Sequence, residues 1–286
     1  MKQVEKFAMS LAVTAVAALS IGTASAQVKL PRPSPTASVS QMIGVTDVAV
    51  TYSRPSVKGR KVWGELVPQD KVWRTGANEA TIIKFSSGVK INGQPLGAGN
   101  YSLHTIPSKD EWTIIFNSVA DQWGSYSYDA AKDALRVKAK PESAEFMEML
   151  TFSFPRVSTD SATLALRWER TLVPIMISTD TRAETMAGLR EALPKAKADD
   201  WRSSFQAARY ALEPGGDREQ GMRWLDASIV IKPTYQNTLL KAEALAKNGD
   251  TKGAIAAAER AVELGKAAKT DTVGAEAMLT KWKMKK

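Results

Sequence analysis

Near residue 180 the hydrophobic periodicity of this chain changes from two residues to about 3.6, so neither an all-β nor an all-α fold can accommodate both halves. Before that point apolar and polar residues alternate in short runs rich in β-branched and aromatic side chains, as in residues 45–53 (VTDVAVTYS) and 80–86 (ATIIKFS). Asn92-Gly93 separates Val89-Lys90-Ile91 from Gln94-Pro95-Leu96. Both turn residues tolerate positive φ, so the pair predicts a two-residue hairpin. Further strands are expected over 101–106, 112–117, 134–140, 148–154, 163–169 and 171–178. Short strands separated by frequent turns predict an antiparallel sandwich or barrel.

After residue 180, Ala, Leu, Glu, Lys and Arg recur at helical spacing, and Pro194 closes a first helix expected over 181–193. Laying Trp201 onto Tyr235, an offset of 34, also superposes Ala208 on Ala242, Ala211 on Leu245 and Gly215 on Gly249. In the second helix it places Trp224 on Ala258 and Ala227 on Ala261. Small residues at such places let two helices approach closely, and the glycine ends the first of them. The pattern resembles tetratricopeptide repeats over roughly two copies, the first lacking Ala at Gln220; a generic helical bundle is the alternative. Two copies rarely stand alone, so the helices expected at 181–193 and 271–283 should cover the open ends. The expected fold is therefore α+β and multidomain. An N-terminal antiparallel β-sandwich-like domain covers 37–178, and C-terminal α-helical hairpin repeats cover 181–284.

The first 26 residues read as a cleavable secretory signal. Lys2 and Lys6 precede an uncharged run over 7–22, and Ala24-Ser25-Ala26 gives the small-x-small pattern ahead of Gln27. A Pro-rich leader with Pro31, Pro33 and Pro35 is expected over 27–36, and the mature protein is placed in the periplasm or outside the cell. No later run is long and apolar enough for a transmembrane segment. The chain has no cysteine, which excludes disulfides, thiolate metal sites and a Cys nucleophile. Its formal charge is +9, and loss of Lys2, Lys6 and Glu5 leaves +8, a balance that favours anionic partners. These are lipid headgroups, acidic glycans or a small anionic ligand, with a well-mixed solvated surface as the alternative; for an exported chain nucleic acid is not expected.

The densest run of unusual residues is Tyr52-Ser53-Arg54-Pro55, Lys58-Gly59-Arg60 and Trp73-Arg74-Thr75-Gly76-Ala77-Asn78-Glu79-Ala80-Thr81. It continues with Gly99-Asn100-Tyr101-Ser102-Leu103, Glu111-Trp112-Thr113-Ile114-Ile115-Phe116-Asn117 and Gln122-Trp123-Gly124. In this order these motifs resemble an exported family catalogued as domain of unknown function 2911, over about residues 40–177. The resemblance implies a signal peptide, a mainly β fold and, in some members, helical repeats behind it; it supplies no activity. His104 stands where such relatives usually carry Phe or Tyr, which speaks against a shared catalytic histidine.

Arg54, Arg60 and Arg74 lie in segments that also bring Asn78 and Glu79. Arginine pairs bidentately with carboxylates, so Arg74–Glu79 or Arg60–Glu79 ion pairs inside the domain are one expectation. The other is a basic cleft in which one or two of these arginines meet an anionic or sugar-like ligand, with tryptophans at its rim. The candidate ligand-binding residues are Arg54, Arg60, Trp73, Arg74, Asn78, Glu79, Trp112, Asn117 and Trp123. Neither a cofactor nor a metal is expected. A protein partner is expected on the helical repeats. An enzymatic alternative is a carbohydrate-active hydrolase using a carboxylate pair drawn from Glu79, Glu111 and Asp121.

Overall fold

The computed structural model describes residues 30–284; the expected signal peptide and Lys285 and Lys286 lie outside the described residues. Ten strands come first. β1 (Thr36–Ile43), β2 (Thr46–Ser53), β3 (Thr81–Phe85), β4 (Val89–Ile91) and β5 (Gln94–Leu96) precede β6 (Gly99–Ile106) and β7 (Trp112–Asn117). β8 (Asp133–Ala139), β9 (Glu142–Val157) and β10 (Ser161–Ser178) complete the β region. They form a six-stranded sheet in the order β1-β2-β3-β6-β7-β8 and a four-stranded sheet in the order β5-β4-β10-β9. All pairings are antiparallel.

Alternation in the sequence becomes facing in the sheets. In β2, Thr46, Val48, Val50 and Tyr52 are buried while Asp47 and Thr51 face out. One continuous apolar core takes side chains from both sheets, including Val50, Ile83 and Phe116 from the larger and Leu150, Leu164 and Ile177 from the smaller. Asn92 and Gly93 do make the β4–β5 hairpin turn, at φ 46° and 85°. β1 was not expected as a strand. Its exposed positions are Thr36, Ser38, Ser40 and Met42, and its only fully buried residue is Ile43, yet it pairs with β2 along its whole length. The two strands expected over 163–169 and 171–178 are one. Glu169 sits at φ 55° between two register shifts against β9, so a bulge kinks the strand without ending it.

Six helices follow: α1 (Thr181–Ala192), α2 (Trp201–Ala211), α3 (Arg218–Ile231), α4 (Tyr235–Lys247), α5 (Thr251–Ala267) and α6 (Val273–Lys283). Asp180, Asp200, Asp217, Thr234 and Asp250 cap α1 to α5 by accepting backbone N–H groups in the first turn. α2 and α4 start 34 residues apart, at Trp201 and Tyr235, but the capping Asp217 and Asp250 of α3 and α5 are 33 apart. The single offset therefore misaligns the second helices. Ala227 is exposed, whereas Ala254, Ala258 and Ala261 of α5 match the buried Gly221, Leu225 and Ser228 of α3. Gly221, one residue beyond Gln220, is the missing small residue: a Cβ there would come within 2.8 Å of Leu212. No helix among the described residues is long and apolar enough to cross a membrane.

Candidate functional site

The loop from Trp73 to Thr81 is a tight, internally tied segment. Thr75 and Asn78 both take positive φ, at 55° and 59°, a region that Asn tolerates better than most residues. Three bonds hold it: Trp73 Nε1 donates to the Gly76 carbonyl (3.1 Å), Thr81 Oγ1 donates to the Thr75 carbonyl (2.8 Å), and the Asn78 carbonyl accepts from Gly124 N (3.1 Å). Gly76 is needed for close approach, since a Cβ there would lie 3.1 Å from the Ser53 carbonyl oxygen. Asn78 Nδ2 donates to Ser34 O (3.2 Å) and Ser53 Oγ (3.3 Å), and Arg54 N donates to Pro35 O (2.9 Å). The residues taken as the end of the leader are thus bonded to this domain.

Beneath the loop lie four tryptophans. Trp63 packs edge-on against Trp73, Trp112 and Trp168 at centroid distances of 5.9, 4.9 and 5.7 Å, and Trp73 stacks on Trp168 at 5.9 Å. Such contacts make a stiff wall with few rotamers available to it. On one side of this wall is a cleft of about 620 Å³. Trp73 and Trp168 line it together with the exposed Tyr126, and its charged residues are Arg60, Lys71 and Arg74. Among the described residues no carboxylate lines it. On the other side, Trp63 and Trp112 line a cavity of about 340 Å³ whose charges are mixed: Lys109, Arg170 and Glu142. The single-signed cleft is the candidate site.

Its cations are differently held. Arg60 Nε and Nη2 donate to the Val57 and Ser56 carbonyls (3.0 and 2.6 Å), which fix the fork and leave its charge uncompensated. Arg74 makes no side-chain hydrogen bond or ion pair among the described residues, and its Nε is buried without an acceptor. Among the described residues, the expected Arg74–Glu79 and Arg60–Glu79 ion pairs are not present. Glu79 instead bridges Trp123 through its backbone.

Of the nine candidates, Arg60, Trp73 and Arg74 come together in the cleft. The others do not line it. Arg54 bolts the two sheets together, donating from Nε to Leu150 O (2.9 Å) and from Nη2 to Thr151 Oγ1 (2.6 Å) on β9. Asn117 is fully buried; its Nδ2 donates to Asp129 O (2.9 Å) and Asp133 Oδ1 (2.8 Å). Trp112 is core, Trp123 is exposed outside the cleft, and Asn78 and Glu79 anchor the loop backbone. Glu111 faces Lys138 at 3.7 Å, and neither it nor Asp121 reaches the cleft. Sequence reasoning missed Lys71, Tyr126 and Trp168. Trp168 carried a signal, an inward position in an alternating strand, whereas Lys71 and Tyr126 lie in irregular loops with none.

His104 is buried on β6 behind the cleft, its ring 5.1 Å from that of Tyr128. Desolvation lowers its pKa to about 4, against the opposing pull of Asp133, so the imidazole is neutral at pH 7. Tyr128 donates to Asp133 Oδ2 (2.6 Å), and burial together with that bond raises its pKa to about 12. Among the described residues no cluster of His, Asp or Glu is arranged to hold a metal ion.

Two antiparallel sheets around one core, with a cation-lined cleft against a tryptophan wall, define the β region as a sandwich carrying a basic pocket. Residues 34–177 match the model of the family described as protein of unknown function (DUF2911), and the chain belongs to that family. No curated protein and no solved structure matches.

Proposed function

We propose that this chain is an exported, non-enzymatic binding protein whose β domain holds a small anionic or sugar-like ligand in the cleft. One observation carries the reading: Arg60, Lys71 and Arg74 converge on a tryptophan-walled cleft, and among the described residues no carboxylate lines it and the Arg74 guanidinium has no hydrogen-bond or ion-pair partner. A charge left unmatched inside a protein is costly unless something else completes it. Guanidinium forks beside aromatic rings suit carboxylates and sugar acids. The signal-like pattern of residues 1–26 supports export, and an intact mass beginning at Gln27 in protein recovered from the periplasm or medium tests it.

Citrate is a suitable probe because it offers three carboxylates to three cations. Titrating the full chain by calorimetry, with tryptophan fluorescence reporting on Trp73 and Trp168, should show saturable binding that weakens with added salt. An absence of heat and of any fluorescence change at millimolar citrate would sink the reading.

The helices support a second role. We infer that α2 to α5 are tetratricopeptide-like hairpins that hold a protein partner. Two antiparallel hairpins with matching caps and matching small buried residues support this, as does a groove of about 220 Å³ between α2 and α4 lined by Arg209, Leu240, Glu243 and Lys247. Reversing Arg209 and Lys247 to Glu should abolish partner capture and leave citrate binding intact.

A further inference from the structure

Ser125 lines the cleft beside Tyr126, and the protons around it can be placed from distances. Ser102 Oγ lies 2.8 Å from the Val119 carbonyl oxygen. Two oxygens that close need a hydrogen between them, and the carbonyl has none, so Ser102 is the donor. Its single proton spent, Ser102 accepts from Gln122 Nε2 (2.9 Å) and faces His104 Nε2 at 3.2 Å. That last contact is a hydrogen bond only if Nε2 carries the imidazole proton. The ring is neutral, so Nδ1 is a bare lone pair. Ser125 Oγ, 3.2 Å from Nδ1, must therefore donate to it.

A serine hydroxyl normally turns to donate or accept as its neighbour requires. This one cannot turn without abandoning His104 and leaving the buried Nδ1 unsatisfied. It presents only lone pairs to the cleft. An anionic oxygen set against Ser125 meets like partial charge, whereas a ligand O–H or N–H finds a fixed acceptor.

We propose that Ser125, oriented by His104, is a specificity-determining residue that selects anions also bearing an O–H or N–H donor, the class of hydroxy acids and sugar acids, over plain carboxylates. The proposal rests on the reading of the cleft as an anion site. The cations supply attraction common to all anions, and Ser125 discriminates among them.

Two matched pairs of probes test it: citrate against tricarballylate, and malate against succinate, which differ in each case by one hydroxyl. Calorimetry on the full chain should show the hydroxylated member of at least one pair binding roughly three- to tenfold more tightly, the worth of one neutral hydrogen bond. In Ser125→Ala that preference should vanish, the hydroxylated and plain members of each pair then binding alike. Equal affinities within both pairs for the unaltered chain would overturn the proposal and leave the anion site standing. So would a preference that persists in Ser125→Ala. Failure of all four probes to bind would remove the anion site itself.

Discussion

Arg54 and Arg74 are twenty residues apart in similar motifs, and the same substitution, Arg→Met, should affect them in opposite ways. Methionine keeps the length and apolar stem of arginine and deletes the guanidinium. At Arg54 that removes two hydrogen bonds from a charged donor to Leu150 O and Thr151 Oγ1, the link between β2 and β9. Bonds to charged groups contribute about 1.5–3 kcal/mol each. Partial exposure of Arg54 reduces the pair to about 2–3 kcal/mol in total, with the discount that solvent screening demands. At roughly 2–4 °C per kcal/mol for a protein of this size, Tm should fall by about 5–10 °C. At Arg74 no side-chain bond is lost, one buried Nε without an acceptor is removed, and repulsion with Arg60 and Lys71 is relieved. Stability should change by no more than about 0.5 kcal/mol. Citrate affinity should fall about 10- to 150-fold, the equivalent of one charge-assisted bond. Differential scanning calorimetry and citrate titration of both variants give the comparison. The reasoning is refuted if Arg74→Met melts as low as Arg54→Met, because the guanidinium would then be structural.

Three further outcomes are expected. Trp168→Ala removes a ring that is 1% exposed and touches Trp63 and Trp73, so stability should drop by about 3–5 kcal/mol in chemical denaturation; a loss under about 1 kcal/mol would mean that the tryptophan wall does not hold the cleft. His104 has a folded pKa of about 4, below its ordinary 6.5, so its contribution is complete above pH 6.5 and lost as pH falls towards 4. The loss amounts to roughly 3 kcal/mol at most, and a His104→Gln variant should lack it; an equal acid sensitivity in both proteins would assign the effect to other groups. Gly124 has φ 67°, and a Cβ there would sit 2.9 Å from the Tyr126 ring and 3.3 Å from Arg74 Nη1. Gly124→Ala should therefore cost about 1–2 kcal/mol and weaken citrate binding, whereas unchanged affinity would show that Arg74 and Tyr126 need not hold their present places.

How much of this was legible in the sequence depended on which forces set each feature. Strand alternation and the Asn92-Gly93 turn are local, and the chain folds where they point. β1 was hidden because an edge strand with Thr36, Ser38, Ser40 and Met42 outward and Ile43 alone fully buried leaves no clean hydrophobic alternation. The join in β10 was hidden because a bulge at Glu169 looks, residue by residue, like a turn. Arg60, Trp73 and Arg74 were read as candidates from their motifs, and the fold brings them to one cleft. Arg54 and Asn117 share those motifs, but their partners are distant in sequence: Leu150 and Thr151 for Arg54, Asp129 and Asp133 for Asn117. Residue type marked them as binders of something; only the tertiary pairing shows that the something is the protein itself.

The cleft separates two kinds of work that a basic pocket usually mixes. Its loop is fixed by neutral bonds from Trp73, Thr81 and Asn78 and by ring packing, none of which depends on ionic strength. Its cations take no part in that support beyond the Arg60 bonds to two carbonyls. Charge is therefore presented by a scaffold that does not need it. Salt shortens the reach of such charges from about 8 Å under physiological conditions to about 3 Å at 1 M, so it should weaken anion binding without softening the site. A pocket whose arginines held the fold would instead loosen as its ion pairs were screened. Of the cations, Arg60 has its fork already fixed by the Ser56 and Val57 carbonyls, so an anion bound as proposed would find that donor in place, whereas the Arg74 guanidinium would be ordered by the anion itself.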